Sequence, residues 1–300
     1  MRAWTLNRSD HSFRLSLLLI ALVFALPCWA QEGVEPPAEA LVIDWVPGPG
    51  VGELGSVATL EIPEGFIFAG PEDTRKLMTL MQNPLTDMEM GFIAPAGESD
   101  EEDWFIVFEF DPVGYVKDDE QADLDADALL ESMKEGSRQS NKLREERGWE
   151  TLELVGWVQP PHYDTASNNL EWGTRLRSGD NHETVNYNSR LLGRRGVMSA
   201  TFVGSEQQLM DNREAFHGIL SGHDYVAGQR YAEFQEGDKI AEYGLAALVT
   251  GGVAAVALKS GILQKAWKFI VLAVVGAGAF LRRFFRKSEP EPAGDGDATA

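Results

Sequence analysis

Aspartates crowd one short stretch of the chain, and closely spaced carboxylates are typical ligands for calcium. Between positions 118 and 127 they are Asp118, Asp119, Asp123, Asp125 and Asp127. The last three copy the spacing of the first ligands of a calcium-binding loop, but Ala128 replaces the turning glycine and Lys134 the final glutamate. The same residues fit a solvated, capped N-terminus of a helix that begins at Ala126. We favour the helix cap, and a cation site stays open.

Three arginines form the second candidate group. They are Arg190, Arg194 and Arg195, in the phrase YNSRLLGRRG. A guanidinium group binds carboxylates and phosphates through paired hydrogen bonds, so these residues could hold an anionic ligand. The alternative, which we favour, is that they pair with the domain's own acids at a hairpin.

Catalytic motifs are not found in the sequence. The histidines after residue 31 are His162, His182, His217 and His223, and none has the helical spacing of a zinc site. No phosphate loop, no GxSxG and no dinucleotide-binding turn occurs, and the glycine-rich stretch 48–55 is interpreted as a loop. We therefore expect no cofactor and no catalytic residue, and favour a protein that is not an enzyme; a bound metal is left undecided.

The acidic charge of the chain argues against one class of binding partner. The whole chain carries a formal charge of -21, and residues 31–242 alone hold 42 acidic side chains against 16 Lys and Arg. Binding to nucleic acid depends on basic side chains that displace counterions from phosphates. Nucleic acid is therefore excluded as an expected partner.

The N-terminus has the layout of a cleavable signal peptide over residues 1–30. Three arginines precede a run from Leu15 to Leu26 that is apolar except for Ser16, and the run is followed by Pro27 and the small residues of a cleavage site before Gln31. Residues 31–40, which contain Pro36 and Pro37, are interpreted as a linker. Cleavage would also remove Cys28, the single cysteine of the chain.

The C-terminus is predicted to hold the protein in a membrane. A Gly- and Ala-rich apolar segment, 243–264, is expected to be membrane-proximal or re-entrant. Residues 265–287 are expected to form a transmembrane helix with a basic flank. Residues 288–300 are expected to form a disordered acidic tail. One crossing of the bacterial inner membrane puts the C-terminus in the cytoplasm and the main domain in the periplasm. A two-helix hairpin and a buried core helix for the first segment remain alternatives.

Residues 41–242 are predicted to form one α+β domain, an antiparallel sheet whose apolar face is covered by helices. Predicted helices span 71–82, 126–147 and 206–220. Predicted strands span 56–68 around a Pro-Glu-Gly turn, then 104–110, 152–158, 170–177, 183–192 and 197–203, with Pro160-Pro161 as one of the breaks and one apolar face on strand 104–110. This element order looks like that of the Mog1 and PsbP-like proteins.

Several phrases resemble an uncharacterised bacterial family of predicted membrane-anchored proteins, domain of unknown function 2167. The matching phrases are GYVKDD, DADALL, WVQPPHYD, NYNSRLLGRRGV and DKIAEYGLAALVTGG, in this order along the chain. The resemblance implies a membrane location, but it does not assign an activity. We therefore expect a membrane-anchored envelope protein with a periplasmic binding or interaction module, partnered by the membrane and by another envelope protein. A hydrolase-type enzyme and a cation-responsive sensor that uses residues 118–127 are the alternatives.

Overall fold

The computed structural model describes residues 42–97, 103–119, 121 and 124–251. The predicted signal peptide, linker, transmembrane helix and acidic tail lie outside these residues. Within the described part, no helix combines the length and apolar character needed to cross a bilayer.

Two antiparallel sheets form the framework. Across the larger sheet the order is β1 (Val46–Pro47), β4 (Phe66–Ala69), β5 (Glu89–Pro95), β6 (Phe105–Asp111), β10 (Val197–Gly204), β9 (Glu183–Leu192), β8 (Asn169–Ser178) and β7 (Leu152–Asp164). The smaller sheet has the order β11 (His223–Tyr225), β3 (Ala58–Ile62) and β2 (Gly50–Leu54). The helices are α1 (Pro71–Leu80), α2 (Ala126–Glu146), α3 (Glu206–Ser221) and α4 (Leu245–Thr250). The predicted α+β class with an antiparallel sheet is confirmed.

The large sheet is the middle layer of three. On one face, α3 and the small sheet pack through residues such as Phe216 and Leu60. On the other face, α1 packs through Leu77, while α2 and α4 pack around Trp172. These last contacts share a face because the pairs from Val107 on β6 to Trp172 on β8 form one lateral row, and paired residues point to the same side. The sheet is therefore covered on both sides.

The strand predicted at 104–110 is confirmed as β6, but the expectation of a single apolar face was wrong. Ile106 and Phe108 point toward the α3 side, whereas Phe105 and Val107 point toward α1, and all four are fully buried. A central strand that is covered on both faces needs an unbroken apolar run, which is the pattern that WFIVFEF shows.

The glycine-rich stretch 48–55 contains a strand, β2, where a loop was expected. Gly52 packs directly on Phe68, and a Cβ at this position would lie 2.7 Å from the ring. Glycine was therefore needed for the close approach of the two sheets rather than for a turn. Strands β1, β5 and β11 were not predicted at all.

Strand β7 continues through Pro160-Pro161, where a break was expected. It is the last strand of the large sheet, and proline is tolerated on an edge because its missing N–H would face away from the neighbouring strand. The edge is also closed at its start, since the Asn141 side chain on α2 both donates to the Leu152 carbonyl and accepts from the Leu152 N–H, each at 2.9 Å.

One tyrosine fastens the small sheet to the large one. The Tyr225 hydroxyl donates to the Leu191 carbonyl at 2.7 Å and accepts from the Met198 N–H at 2.9 Å. Both partners belong to the β9–β10 hairpin, and the side chain is only 7% exposed. Its position joins β11 firmly to the middle of the molecule.

The apolar segment that starts at residue 243 enters the core of the domain. Leu245, Leu248 and Val249 of α4 are buried in the cluster that also contains α2 and Trp172. A buried core helix, one of the alternatives for this segment, therefore describes residues 245–250. Residues 252–264 lie outside the described part, so a membrane-proximal role for them stays a prediction.

Candidate functional site

A cleft of about 580 Å³ opens on the α3 side of the large sheet. Its floor is apolar and includes Leu191, Leu220 and Tyr225. Its polar lining comes from β7, β8, the end of α3, β11 and the loop after β11. The charged or titratable side chains are His162, Asp164, Glu171, His217, His223, Asp224 and Arg230.

Glu171 on β8 is the least exposed carboxylate of this cleft. In the sheet it lies between His162 on β7 and Ser189 on β9, so all three side chains point to the same side. Its carboxylate accepts from the Tyr187 hydroxyl at 2.8 Å and from the Ser189 hydroxyl at 3.4 Å. Only 17% of the Glu171 side chain is exposed, so these hydroxyls replace much of its hydration.

A second layer of contacts holds Tyr187 in place. Arg213 on α3 donates to the Tyr187 hydroxyl at 2.7 Å, and its guanidinium lies 5.0 Å from the centre of the tyrosine ring. Burial, reinforced by Glu171, raises the pKa of Tyr187 to about 12. The hydroxyl therefore stays protonated near neutral pH and can donate to Glu171.

Two histidines of the cleft differ in their surroundings. His217 on α3 is 46% exposed, and its Nε2 lies 3.3 Å from the Glu171 carboxylate. His223 on β11 is more deeply placed, with its ring edge-on to Tyr225 at 4.7 Å. Burial lowers the pKa of His223 to about 4, so this ring is neutral at physiological pH.

The single arginine of the cleft is already paired. Arg230 donates to both carboxylate oxygens of Asp224, at 3.1 and 2.8 Å, and this pairing lowers the pKa of Asp224. Asp164 instead accepts from the Ala166 N–H and the Ser167 hydroxyl, at 2.9 and 2.8 Å, and these bonds lower its pKa. Neither of these two lining carboxylates is buried as Glu171 is.

The predicted acidic cluster lies outside this cleft. Asp125 caps α2 by accepting from the N–H groups of Asp127 and Ala128, both at 3.1 Å. Asp119 and Asp127 are exposed, and Asp118 accepts from the Tyr163 hydroxyl at 3.0 Å. Asp123 is outside the described residues. No group of three or more His, Cys, Asp or Glu among the described residues could hold a metal ion. A binding role for these aspartates stays a prediction.

The three arginines do not form one site. Arg194 makes a two-point ion pair with Asp238, at 2.6 and 2.9 Å, and this pair lowers the pKa of Asp238 to about 2. Arg195 is exposed. Arg190 points to the opposite face of the sheet from the cleft, where its guanidinium lies over Trp172 at 4.7 Å. Internal pairing at a hairpin, the favoured alternative, describes Arg194, and an anion-binding role for the three stays a prediction.

Arg190 belongs to a small polar pocket of about 40 Å³ beneath α4. Glu109 and Asp111 of β6 also line it, and the Tyr243 hydroxyl closes it by donating to Asp111 at 3.2 Å. Burial raises the pKa of Glu109 to about 7, even though Arg190 acts in the opposite direction. Burial likewise lowers the pKa of Arg190 to about 10. The volume suits one or a few water molecules rather than a ligand.

Comparison with known families matches residues 47–281 to the family described as "Protein of unknown function (DUF2167)". The chain belongs to this family. The resemblance noted in the sequence is thereby confirmed, while membrane anchoring stays a prediction.

Among solved structures, the DUF2167 chain is similar to the solution structure of cyanobacterial PsbP (CyanoP) from Synechocystis sp. PCC 6803. The identity is 12%, the TM-score is 0.35, and the match covers 65% of this chain and 98% of that one. A likeness at this level carries no argument, so the fold class rests on the strand pairing itself. No curated protein matches the chain.

Sequence reasoning missed Glu171 and His217 of the cleft and Glu109 of the small pocket in this DUF2167 domain, although Arg190 was among the candidates. Glu171 and His217 are 46 positions apart, so no local motif could join them. Glu109 did carry a signal, since it is the one charged residue in the apolar strand WFIVFEF. A charge in such a strand is unusual enough to indicate a buried polar site.

Proposed function

We propose that this chain is an envelope protein tethered to the bacterial inner membrane, and that its periplasmic domain binds a small polar ligand in the cleft. The tether and the location rest on the sequence of the two ends, with a signal peptide before the domain and a basic-flanked apolar segment after it. Another envelope protein as partner remains a further expectation from the sequence.

The volume and the lining of the cleft support the proposed binding function. Ligand sites are commonly concave, with volumes of about 300 to 1,000 Å³, an apolar lining and a few well-placed polar groups. This cleft has a volume of about 580 Å³ and an apolar floor, and Glu171 at its wall is fixed by Tyr187 and Ser189 before any ligand arrives. A fixed polar group lowers the entropy cost of binding.

Binding can be tested by filling the cleft. Ser221 lines it at the end of α3 and makes none of the hydrogen bonds to Glu171, so Ser221→Trp should occupy the space without removing one of them. Met210→Trp, on the same helix but 61% exposed and outside the cleft, is the matched control. The full-length protein in mild detergent is heated with a panel of small envelope metabolites. Stabilisation that Ser221→Trp abolishes and Met210→Trp keeps is expected, because a ligand of the native state raises the melting temperature.

The tether is tested separately. A reporter fused after Lys287 that is active only in the cytoplasm should be active, and the same reporter fused after Glu242 should be silent. Activity at both positions would refute export of the domain, whereas silence at both would favour the two-helix hairpin.

A hydrolytic function is the second candidate, and one contact favours it. His217 is exposed to the cleft and lies 3.3 Å from a carboxylate that can orient its ring, as a general base requires. Turnover of an ester or amide panel that is lost in His217→Gln would support this function. The hydrolase and calcium-sensor alternatives at residues 118–127 stay predictions; millimolar calcium that leaves the melting temperature unchanged would argue against the sensor.

A further inference from the structure

We infer that the ligand of the cleft carries an ammonium group and that Glu171 is the residue that binds it. This inference rests on the proposed binding function and gives the site a ligand chemistry.

The charges of the cleft do not balance. Three carboxylates line it, from Asp164, Glu171 and Asp224, against one guanidinium, from Arg230. Arg230 is neutralised by its two-point pair with Asp224. No Lys or Arg among the described residues lies within ion-pair distance of Asp164 or Glu171. Among these four ionic groups, three carboxylates against one guanidinium leave an excess of two negative charges in the lining.

Glu171 is the carboxylate for which this imbalance matters most. Its side chain is largely withdrawn from water, and a carboxylate that loses hydration is destabilised unless a cation or enough donors compensate it. Its partners are the hydroxyls of Tyr187 and Ser189 and the His217 ring nitrogen at 3.3 Å, and none of them carries a permanent positive charge. Arg213 makes no direct ion pair with Glu171 and is separated from it by the Tyr187 hydroxyl. A cationic group supplied from the open side of the cleft would complete its coordination.

The surroundings favour a cation during approach as well. An ammonium ion has three donors for the oxygens that face the cleft, while a carboxylate or phosphate ligand would meet Glu171 and Asp164 with like charge. Residues 31–242 carry 42 acidic against 16 basic side chains, so the field of the domain attracts cations and repels anions. The apolar floor, with Leu191, Leu220 and Tyr225, suits the carbon skeleton that carries the amine.

The test is calorimetric titration of the full-length protein in mild detergent with 1,5-diaminopentane. Two compounds of similar length serve as controls, 1,5-pentanediol without charge and glutarate with two negative charges. We expect the diamine to bind and both controls to fail. Glu171→Gln, which removes the charge and keeps the shape, should weaken diamine binding at least tenfold, equivalent to about 1.4 kcal/mol.

The matched control variant is Glu153→Gln. Glu153 lies on the neighbouring strand β7, its side chain is 68% exposed, and it does not line the cleft. The Glu153→Gln variant should bind the diamine with the affinity of the natural protein. Further arms with glucosamine and lysine methyl ester distinguish an amino sugar from an amino acid as the source of the amine, and tighter binding of either supports the inference.

The outcomes separate the inference from the proposed function. Equal affinity of Glu171→Gln and the natural protein, or binding of the diol or of glutarate in place of the diamine, overturns the ammonium inference. If another compound still stabilises the protein in a way that Ser221→Trp abolishes, binding in the cleft survives that result. If no compound of any charge does so, both proposals fail.

Discussion

Replacement of Glu109 with glutamine should change how the stability of the domain depends on pH. Burial raises the pKa of this carboxyl from the ordinary value of 4.5 to about 7 in the folded protein. Between these two values the folded protein holds a proton that the unfolded chain has released. The free energy of unfolding of the natural protein must therefore fall as the pH rises through this range. Glutamine has the shape of the protonated acid and does not titrate, so Glu109→Gln lacks this loss.

The size of the effect follows from the shift. Each unit corresponds to about 1.4 kcal/mol, so the shift from 4.5 to about 7 gives about 3 kcal/mol at most. The carboxyl still faces the small pocket, and solvent there should reduce the effect to about 2 kcal/mol. We expect Glu109→Gln to gain this much relative to the natural protein between pH 4.5 and pH 8. Arg190 keeps Asp111 as an acidic neighbour in the variant.

The measurement is urea unfolding of the full-length protein at four pH values from 4.5 to 8. Glu131→Gln is the control, since Glu131 lies on α2 with its side chain 70% exposed and loses the same charge. For the control, the difference from the natural protein should stay nearly constant with pH. A constant difference for Glu109→Gln as well would refute the assignment of a raised pKa to this carboxyl.

Three further substitutions test the packing, each by urea unfolding. Tyr225→Phe leaves a buried carbonyl and a buried N–H of the β9–β10 hairpin unpaired and should cost about 2 to 4 kcal/mol; an unchanged midpoint would contradict the joint between the sheets. Gly91→Ala places a Cβ 2.6 Å from the Phe68 ring and should cost about 1 to 3 kcal/mol, whereas Gly156→Ala, with open space around it, should change stability by less than about 0.5 kcal/mol. Asp125→Ala should cost about 1 kcal/mol by removing the cap of α2, and a neutral result would show that the cap does not stabilise the helix.

Helices were predictable because their signals are local. Asp125 caps α2 and Ser205 caps α3 with side-chain hydrogen bonds, and Pro71 is the first residue of α1. Each signal lies within a few residues of the helix end that it defines, so a single sequence contains it. The predicted helix ends consequently agree with the structure to within two residues.

Strands were less predictable where contacts with residues distant in the sequence determine whether and how they form. Nothing near Gly52 shows that Phe68 will press against it, and nothing near Pro160 shows that β7 will have no partner on one side. Strand β5, with the sequence EMGFIAP, was missed because Gly91 and Pro95 interrupt its apolar pattern. In each case long-range packing overrides local preference.

The candidate site could not be predicted, because chain spacing does not fix the face of a sheet. Three arginines look like one group in the sequence. In the structure, Arg190 points beneath α4, Arg194 pairs with Asp238 and Arg195 is exposed. Glu171 and His217, by contrast, meet only because α3 packs on the face of the sheet that carries Glu171. Composition and terminal segments contain targeting signals, whereas the residues that line a cleft come together only in the folded chain.

The position of α4 has a mechanical consequence. Since Leu245, Leu248 and Val249 are buried beside α2, the last described residues of the chain are held by the hydrophobic core. A pull applied at Gly251 would load the hydrophobic core directly through α4. The packing of the core would therefore resist a force applied at Gly251, where a free segment of chain would simply extend.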